Sequence, residues 1–312
     1  MARENLLTAY ISHPECFKHE MGAYHPESPR RLVAIAHQLQ TSGLFSQLQC
    51  HEAPLASIEQ LVRVHPKAYI EDIQSTAPAK GLAYLDPDTA MNPSTWEAAL
   101  RAAGAVVLAT DLVMAQEVNN TFCAVRPPGH HAESARAMGF CIFNNVAVGV
   151  AHAIAQHGLQ RVAIVDFDVH HGNGTEEIFH NDPRVMLCST FQHPFYPYSG
   201  ADSGNKHMIN VPLSPGSDGR VFRQAVNDHW MPALEAFKPE MIFVSAGFDA
   251  HQDDDMAQLQ LCDEDYIWIT QQIKELADKY AQGRIVSALE GGYELESLAR
   301  CVAAHIGVLT KG

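Results

Sequence analysis

The chain has 312 residues, 46% of them hydrophobic and 18% charged, which supplies a large apolar core and excludes a disordered chain. Against 36 Asp and Glu stand 21 Lys and Arg, a net charge of −15 that disfavours direct nucleic-acid binding, where affinity comes mostly from cations on phosphate. The same excess favours cationic partners, and the 18 histidines are an unusual supply of metal ligands and proton shuttles.

Residues 1–7 lack the apolar stretch of a signal peptide, and no run is long enough to cross a membrane. The seven cysteines, an odd number without a CxxC pair, fit a reduced compartment better than a disulfide framework. A soluble cytoplasmic protein is therefore expected. No repeat, linker or low-complexity tract divides the chain.

In chain order, a strand is expected at residues 6–12. Ser94-Thr95-Trp96-Glu97 reads as a capping box opening an Ala-rich helix that runs to Met114. A strand at 122–125 precedes a helix at 144–157, with Gly158 as its stop. Strands at 162–167 and 185–190 follow, then a helix at 232–237, a strand at 241–245, a helix at 264–280 and a strand at 285–289. Each strand is short, apolar and nearly unbroken, as in a sheet buried on both faces. The alternation predicts a single α/β domain over residues 1–312, with a mostly parallel central sheet flanked by helices. Ligands of such sheets sit beyond the carboxyl ends of the strands.

Four of those ends carry chemistry. They are Arg126-Pro127-Pro128-Gly129-His130-His131, Asp166-Phe167-Asp168-Val169-His170-His171-Gly172-Asn173-Gly174, Ser245-Ala246-Gly247-Phe248-Asp249 and Glu290-Gly291-Gly292-Tyr293. Side chains alternate across a strand, so Asp168 and His170 point the same way, and Asp249 leaves another strand at the same edge. Two carboxylates and an imidazole make a three-ligand set for Zn²⁺ with one position left open. A lone Asp-x-His more often satisfies turn backbone; the company of Asp249, His130, His131 and Tyr293 argues for a site. The tandem histidines suit acid–base work, with Asp166 and Asn173 available to hold their far nitrogens. An Asp partner makes an imidazole more basic, whereas an Asn partner orients it without adding charge. Tyr293, after two glycines, can donate to a developing oxyanion.

Together with His25-Pro26-Glu27-Ser28-Pro29-Arg30-Arg31 and Gly139-Phe140-Cys141, these motifs resemble the histone deacetylase and acetylpolyamine amidohydrolase family, of the arginase–deacetylase fold. The resemblance spans nearly the whole chain, and Asn173 looks like the class II branch. It implies one zinc ion per chain on Asp168, His170 and Asp249. It implies an acid–base pair of His130 and His131, with Asp166 behind the first and Asn173 behind the second, and a carbonyl-polarising Tyr293. Phe140 and Tyr196 would line the acyl-lysine channel, where the family usually has Phe at the second position. Gly139 would offer its carbonyl to the substrate amide, Asp88 would hold the substrate backbone at the rim, and Arg31 would lie beneath the site where acetate leaves. A structural potassium ion is implied at Asp166, Asp168, His170 and Ser189, mostly through backbone oxygens.

The implied reaction removes acetyl or related acyl groups from lysine side chains in proteins or peptides, with acetylpolyamines and other small acylated amines as the alternative substrates. Two further readings stand beside it. A two-metal ureohydrolase needs more bridging carboxylates, for which Asp253-Asp254-Asp255 is the candidate supplement; such a run is more often a solvated loop. A catalytically idle acyl-lysine binder would not need Tyr293, His130 and His131 intact. Residues 250–263, after Asp249, are the candidate substrate selector, and homo-oligomerisation is left open.

Overall fold

Strands that are apolar at every position need cover on both faces, and the computed structural model, which describes residues 7–311, supplies it. The chain runs β1 (Thr8–Ser12), α1 (Arg30–Thr41), β2 (Leu48–Glu52), α2 (Ile58–Leu61), α3 (Lys67–Thr76), β3 (Ala83–Tyr84), β4 (Ala90–Met91) and α4 (Thr95–Met114). It continues with β5 (Asn120–Cys123), α5 (Asn145–His157), β6 (Val162–Asp166), α6 (Asn173–Phe179), β7 (Val185–Gln192) and β8 (Met208–Leu213). The last elements are α7 (Gly219–Ala225), α8 (Met231–Phe237), β9 (Met241–Ala246), α9 (Asp263–Tyr280), β10 (Ile285–Leu289) and α10 (Leu295–Leu309). A π-helical stretch, Val226–Trp230, joins α7 to α8, so the helix expected at 232–237 is the end of a longer one.

Eight strands form one parallel sheet in the order β2-β1-β5-β10-β9-β6-β7-β8, and β3 pairs with β4 in a separate short hairpin. The mostly parallel central sheet expected from the alternation is thus present, with helices on both faces. Alternation along the strands shows how the faces are filled. Ser287 and Phe122 are register partners, and both meet His305 of α10; the Ser287 hydroxyl lies 2.9 Å from its Nε2. Phe243, one register position earlier, faces the opposite way, against Gly149 of α5.

The register also levels the strand ends. Cys123 pairs with Ala288, Ala288 with Ser245, Ser245 with Asp166 and Asp166 with Ser189. The four chemistry-bearing turns therefore leave neighbouring strands, β5-β10-β9-β6, at one height.

Besides the short β3–β4 hairpin, two strands of the large sheet escape the sequence pattern, and they are the outermost in the order. β2 reads Leu-Gln-Cys-His-Glu and β8 reads Met-Ile-Asn-Val-Pro-Leu; edge strands are partly solvated, so they carry no apolar run. β1 starts at Thr8, and Leu6 and the leader reading over 1–6 lie outside the described residues. The capping box does not form. Ser94 has helical backbone angles and makes no capping bond; its N–H donates instead to the Asn92 side chain at 3.2 Å. The 144–157 helix keeps its signals, with Asn144 accepting the Ala147 N–H and Gly158 left-handed at φ 71°. Among the described residues no helix is long and apolar enough to cross a membrane.

Candidate active site

The strand-alternation argument for Asp168 and His170 gives way to a turn. β6 stops at Asp166, so both residues lie in the loop beyond it. They converge because Asp168 Oδ1 accepts the His170 backbone N–H at 2.9 Å and sits 3.1 Å from its Nδ1. A short carboxylate capturing the N–H two residues on is a turn-forming preference of Asp.

Asp249, entering from the end of β9, completes the group. One donor atom each from Asp168, His170 and Asp249 lies within 4.8 Å of the others, and all three residues are buried. Asp249 Oδ1 accepts the Val169 N–H at 3.0 Å, while its Oδ2 is buried without a hydrogen-bond partner, 3.2 Å from His170 Nδ1. Burial and the neighbouring Asp168 push the Asp249 carboxyl up to about 6. Burial alone would lower His170, but Asp168 and Asp249 raise it to about 9, so the pair of carboxylates calls for a cation between them. The surroundings leave room for close approach: a Cβ at Gly291 would fall on the Asp249 and Asp168 carboxylates. Two carboxylates, one imidazole and an orphaned buried oxygen fit a divalent metal of zinc type with an open position.

Beside this group stand the two imidazoles, ring centroids 4.1 Å apart. His130 Nδ1 lies 2.9 Å from Asp166 Oδ2, and His131 Nδ1 lies 2.8 Å from Asn173 Oδ1. Burial opposes charge on both. For His130 the Asp168 and Asp166 carboxylates overcome it and hold the ring well above the ordinary histidine value. For His131 burial dominates, helped by the His130 and His170 charges, and the ring is held well below it. The turn carrying them is clamped from behind. Glu290 Oε2 accepts the Gly129 and His130 N–H groups at 2.7 and 3.1 Å.

A pocket of about 170 Å³ opens over His131 and His170. Phe140, Phe195 and Tyr196 form its walls, with Phe195 stacked on His170 at 5.4 Å and Tyr196 edge-on to His131 at 5.2 Å. The Tyr196 hydroxyl is buried without a partner. Phe140 holds a left-handed backbone (φ 68°) after Gly139 (φ 56°), where a Cβ would strike the His131 ring. Backbone strain of this kind persists only where the surroundings hold it. Here the Phe140 N–H is tied to the Thr89 hydroxyl at 3.0 Å, and the Gly139 carbonyl accepts the Cys141 thiol at 3.3 Å. Asp88, half-buried at the rim, and Met256 complete the lining.

Tyr293 reaches the pocket from the end of β10, its ring 5.9 Å from Phe140. Burial holds its hydroxyl well above the ordinary tyrosine value, so it stays a donor. Arg31 is fully buried and packs its guanidinium over the Tyr293 ring, 5.0 Å from the centroid. It donates to the Gly292 carbonyl at 2.6 Å, to the Glu290 carbonyl, and to Glu27 at 3.1 Å. Ser189, on β7 beside Asp166, has a buried hydroxyl without a partner.

Phe195 was not legible as a pocket residue, Met256 only as part of the 250–263 segment, and Asp254 not at all as a buried acid behind Tyr293. Phe195 and Tyr196 are adjacent aromatics after Pro194, a pattern that fits any loop. Asp254 departs from the solvated-loop expectation: it is 4% exposed, between exposed Asp253 and Asp255. Among the described residues it joins no group of metal-ligating side chains, and its oxygens accept backbone N–H groups. Two other clusters, Asp111–His152–His157 and His251–Asp263–Cys301, lie elsewhere. Each is already satisfied by hydrogen bonds that include an arginine, Arg63 at 2.9 Å from His152 Nδ1 and Arg300 at 3.0 Å from Asp263.

Residues 25–309 match the histone deacetylase domain family. The chain is similar to the histone deacetylase-like amidohydrolase of Pseudomonas aeruginosa, 40% identical over 292 residues, which cover 91% of this chain and 76% of that protein. It is also similar to the polyamine deacetylase HDAC10 of Mus musculus, 39% identical over 300 residues, covering 92% of this chain and 44% of the mouse protein. A crystal structure of the HDA15 HD domain shares the fold with a TM-score of 0.93 and 35% sequence identity, over 98% of this chain and 89% of that one. Likeness of this extent, running through every strand end described above, makes the chain a member of the histone deacetylase family, a hydrolase of amide bonds.

Proposed function

We propose that the chain is one zinc-dependent catalytic unit that removes acetyl or related acyl groups from the side-chain amine of lysine in proteins or peptides. The observation that carries this reading is the convergence of Asp168, His170 and Asp249 beneath a narrow aromatic pocket that Tyr293 and His131 also line. Zinc held by those three residues supplies a Lewis acid that polarises an amide carbonyl and acidifies water. Phe140, Phe195 and Tyr196 grip an aliphatic stem and exclude water around it. Tyr293 donates its hydroxyl proton in a hydrogen bond to the carbonyl oxygen as charge develops there. His131, with Nδ1 held by Asn173, uses Nε2 to take a proton from the attacking water and return it to the departing amine. His130, with Nδ1 on Asp166, keeps positive charge beside it. The Gly139 carbonyl and Asp88 orient the substrate amide and backbone, and Arg31 lies on the interior side, where acetate departs.

A potassium ion at Asp166, Asp168, His170 and Ser189 would give the orphaned Ser189 hydroxyl a partner. The free cysteines fit a reducing cytoplasm. Neither nucleic acid nor a membrane is required by this reading. Acetylpolyamines are the second substrate class; the likeness to a polyamine deacetylase and the carboxylate of Asp88 at the rim favour it.

The test is a turnover panel of acetyl-lysine peptides, longer acyl-lysines and acetylated polyamines, with metal content measured on the same sample. Turnover of a lysine peptide by protein carrying about one zinc per chain is expected. Activity on polyamines alone would hand the reading to the second class, and release of acetate from none of them would leave the idle binder. Gly291→Ala should weaken zinc binding about tenfold to a hundredfold, because the added methyl displaces both carboxylates. Competition with a chromophoric chelator measures this, and unchanged affinity would remove Gly291 from the metal's surroundings.

A further inference from the structure

Beyond Asp249, residues 250–263 carry one buried acid that the chemistry above does not use. Asp254 Oδ2 accepts the backbone N–H groups of Tyr293 at 2.6 Å and Glu294 at 3.0 Å. Its Oδ1 accepts the N–H of Met256 at 3.0 Å, and its own N–H donates to the His251 carbonyl at 3.0 Å. The carboxylate thus faces three N–H donors from two separate chain segments and, among the described residues, forms no ion pair.

Helix capping does not account for it. α10 is already capped by Glu294, whose side chain accepts the Ser297 N–H at 2.6 Å. Of the two N–H groups that Asp254 Oδ2 accepts, one belongs to the cap residue Glu294 and the other lies one step earlier, on Tyr293, whose side chain reaches the pocket. That residue needs holding. Tyr293 follows Gly291 and Gly292, and Gly292 sits at φ 119°, so the backbone approaching it has little torsional restraint of its own. Arg31 secures the Gly292 carbonyl and the face of the ring. Asp254 secures the other end of the same peptide unit, the Tyr293 N–H.

We infer that Asp254 is a positioning residue: it sets the Tyr293 hydroxyl over the site, and it ties that placement to Met256 on the pocket wall. The inference rests on the deacetylase reading, in which the Tyr293 hydroxyl meets the carbonyl oxygen. Asp254→Asn is the diagnostic change. It keeps the shape of the side chain but leaves a single acceptor oxygen. Whichever way the amide turns, its NH₂ opposes either the Met256 N–H or those of Tyr293 and Glu294.

Asp254→Asn should lower kcat about tenfold to a hundredfold, because a displacement of about 1 Å at a reacting group costs that much. KM and zinc content should stay near those of the parent. The decisive comparison is the same change made in Tyr293→Phe protein. There the hydroxyl is already gone, so Asp254→Asn should cost nothing further. Equal losses in both backgrounds, or a loss confined to KM, would overturn the inference. Hydrogen exchange gives a readout independent of turnover. One or both of the peptides over residues 252–258 and 290–297, which carry the N–H groups that Asp254 accepts, should exchange faster in Asp254→Asn while the rest of the chain does not. Unchanged exchange in both, or a rise across the whole chain as for a residue that merely holds the fold, would also overturn it. Parent protein inactive on every acylated amine would instead count against the deacetylase reading, and the exchange result would still judge Asp254.

Discussion

Tyr293→Phe should lower kcat by about 10²–10³, the usual cost of deleting one oxyanion donor, while zinc stays at about one per chain. The substitution removes one oxygen and little else. The ring keeps its packing against Phe140 and beneath Arg31, so the pocket retains its shape. The backbone N–H keeps its bond to Asp254, so the turn stays in place. The hydroxyl is held protonated by burial, and in the reading proposed here its contribution appears as charge builds on the carbonyl oxygen. The loss should therefore fall on kcat, with KM for an acetyl-lysine peptide moving little. Steady-state kinetics beside metal analysis separates this from a damaged site. Full activity in Tyr293→Phe would mean that the oxyanion role is wrong.

Asp249→Ala should abolish both zinc retention and turnover. Two donors, Asp168 and His170, would remain of three, and neither comes from β9. The change also frees the Val169 N–H, which Asp249 Oδ1 now accepts at 3.0 Å. Asp249→Asn controls for that: its oxygen can keep the Val169 bond while the charge is lost. Both variants should emerge from dialysis with far less zinc than the parent, Ala the lower of the two. Metal analysis after dialysis, with circular dichroism to check folding, decides it. A folded Asp249→Ala protein that retained its zinc would move the metal away from this group.

Much of the arrangement could be read from residues alone, because buried parallel strands announce themselves. β10 falls where its apolar run falls, and β6, β7 and β9 differ only at their ends. The edges β2 and β8 could not be read, since half-solvated strands need no apolar run. Asp168, His170 and Asp249 were legible as a set because two motifs of metal-binding type ended two strands. The reason first given for the approach of Asp168 and His170 was nonetheless the wrong one: a turn, rather than strand alternation, brings them together. Asp254 shows the limit in the other direction. Three consecutive aspartates look equivalent in sequence, and only the fold buries the middle one against N–H groups 39 and 40 residues away.

The chain's own order of residues determined the class of fold, the turns that bear chemistry and the kinds of group they carry, since each of these depends on neighbours a few positions apart. The tertiary structure decided which strands lie side by side. β5 and β6 are successive strands along the chain, as are β9 and β10, yet the sheet inserts the later pair between the earlier two, in the order β5-β10-β9-β6. It also decided which imidazole meets the carboxylate and which the amide, and which buried acid holds the tyrosine turn. Those pairings come from contacts between residues far apart along the chain, fixed only when the sheet and the helices that cover it close on one another.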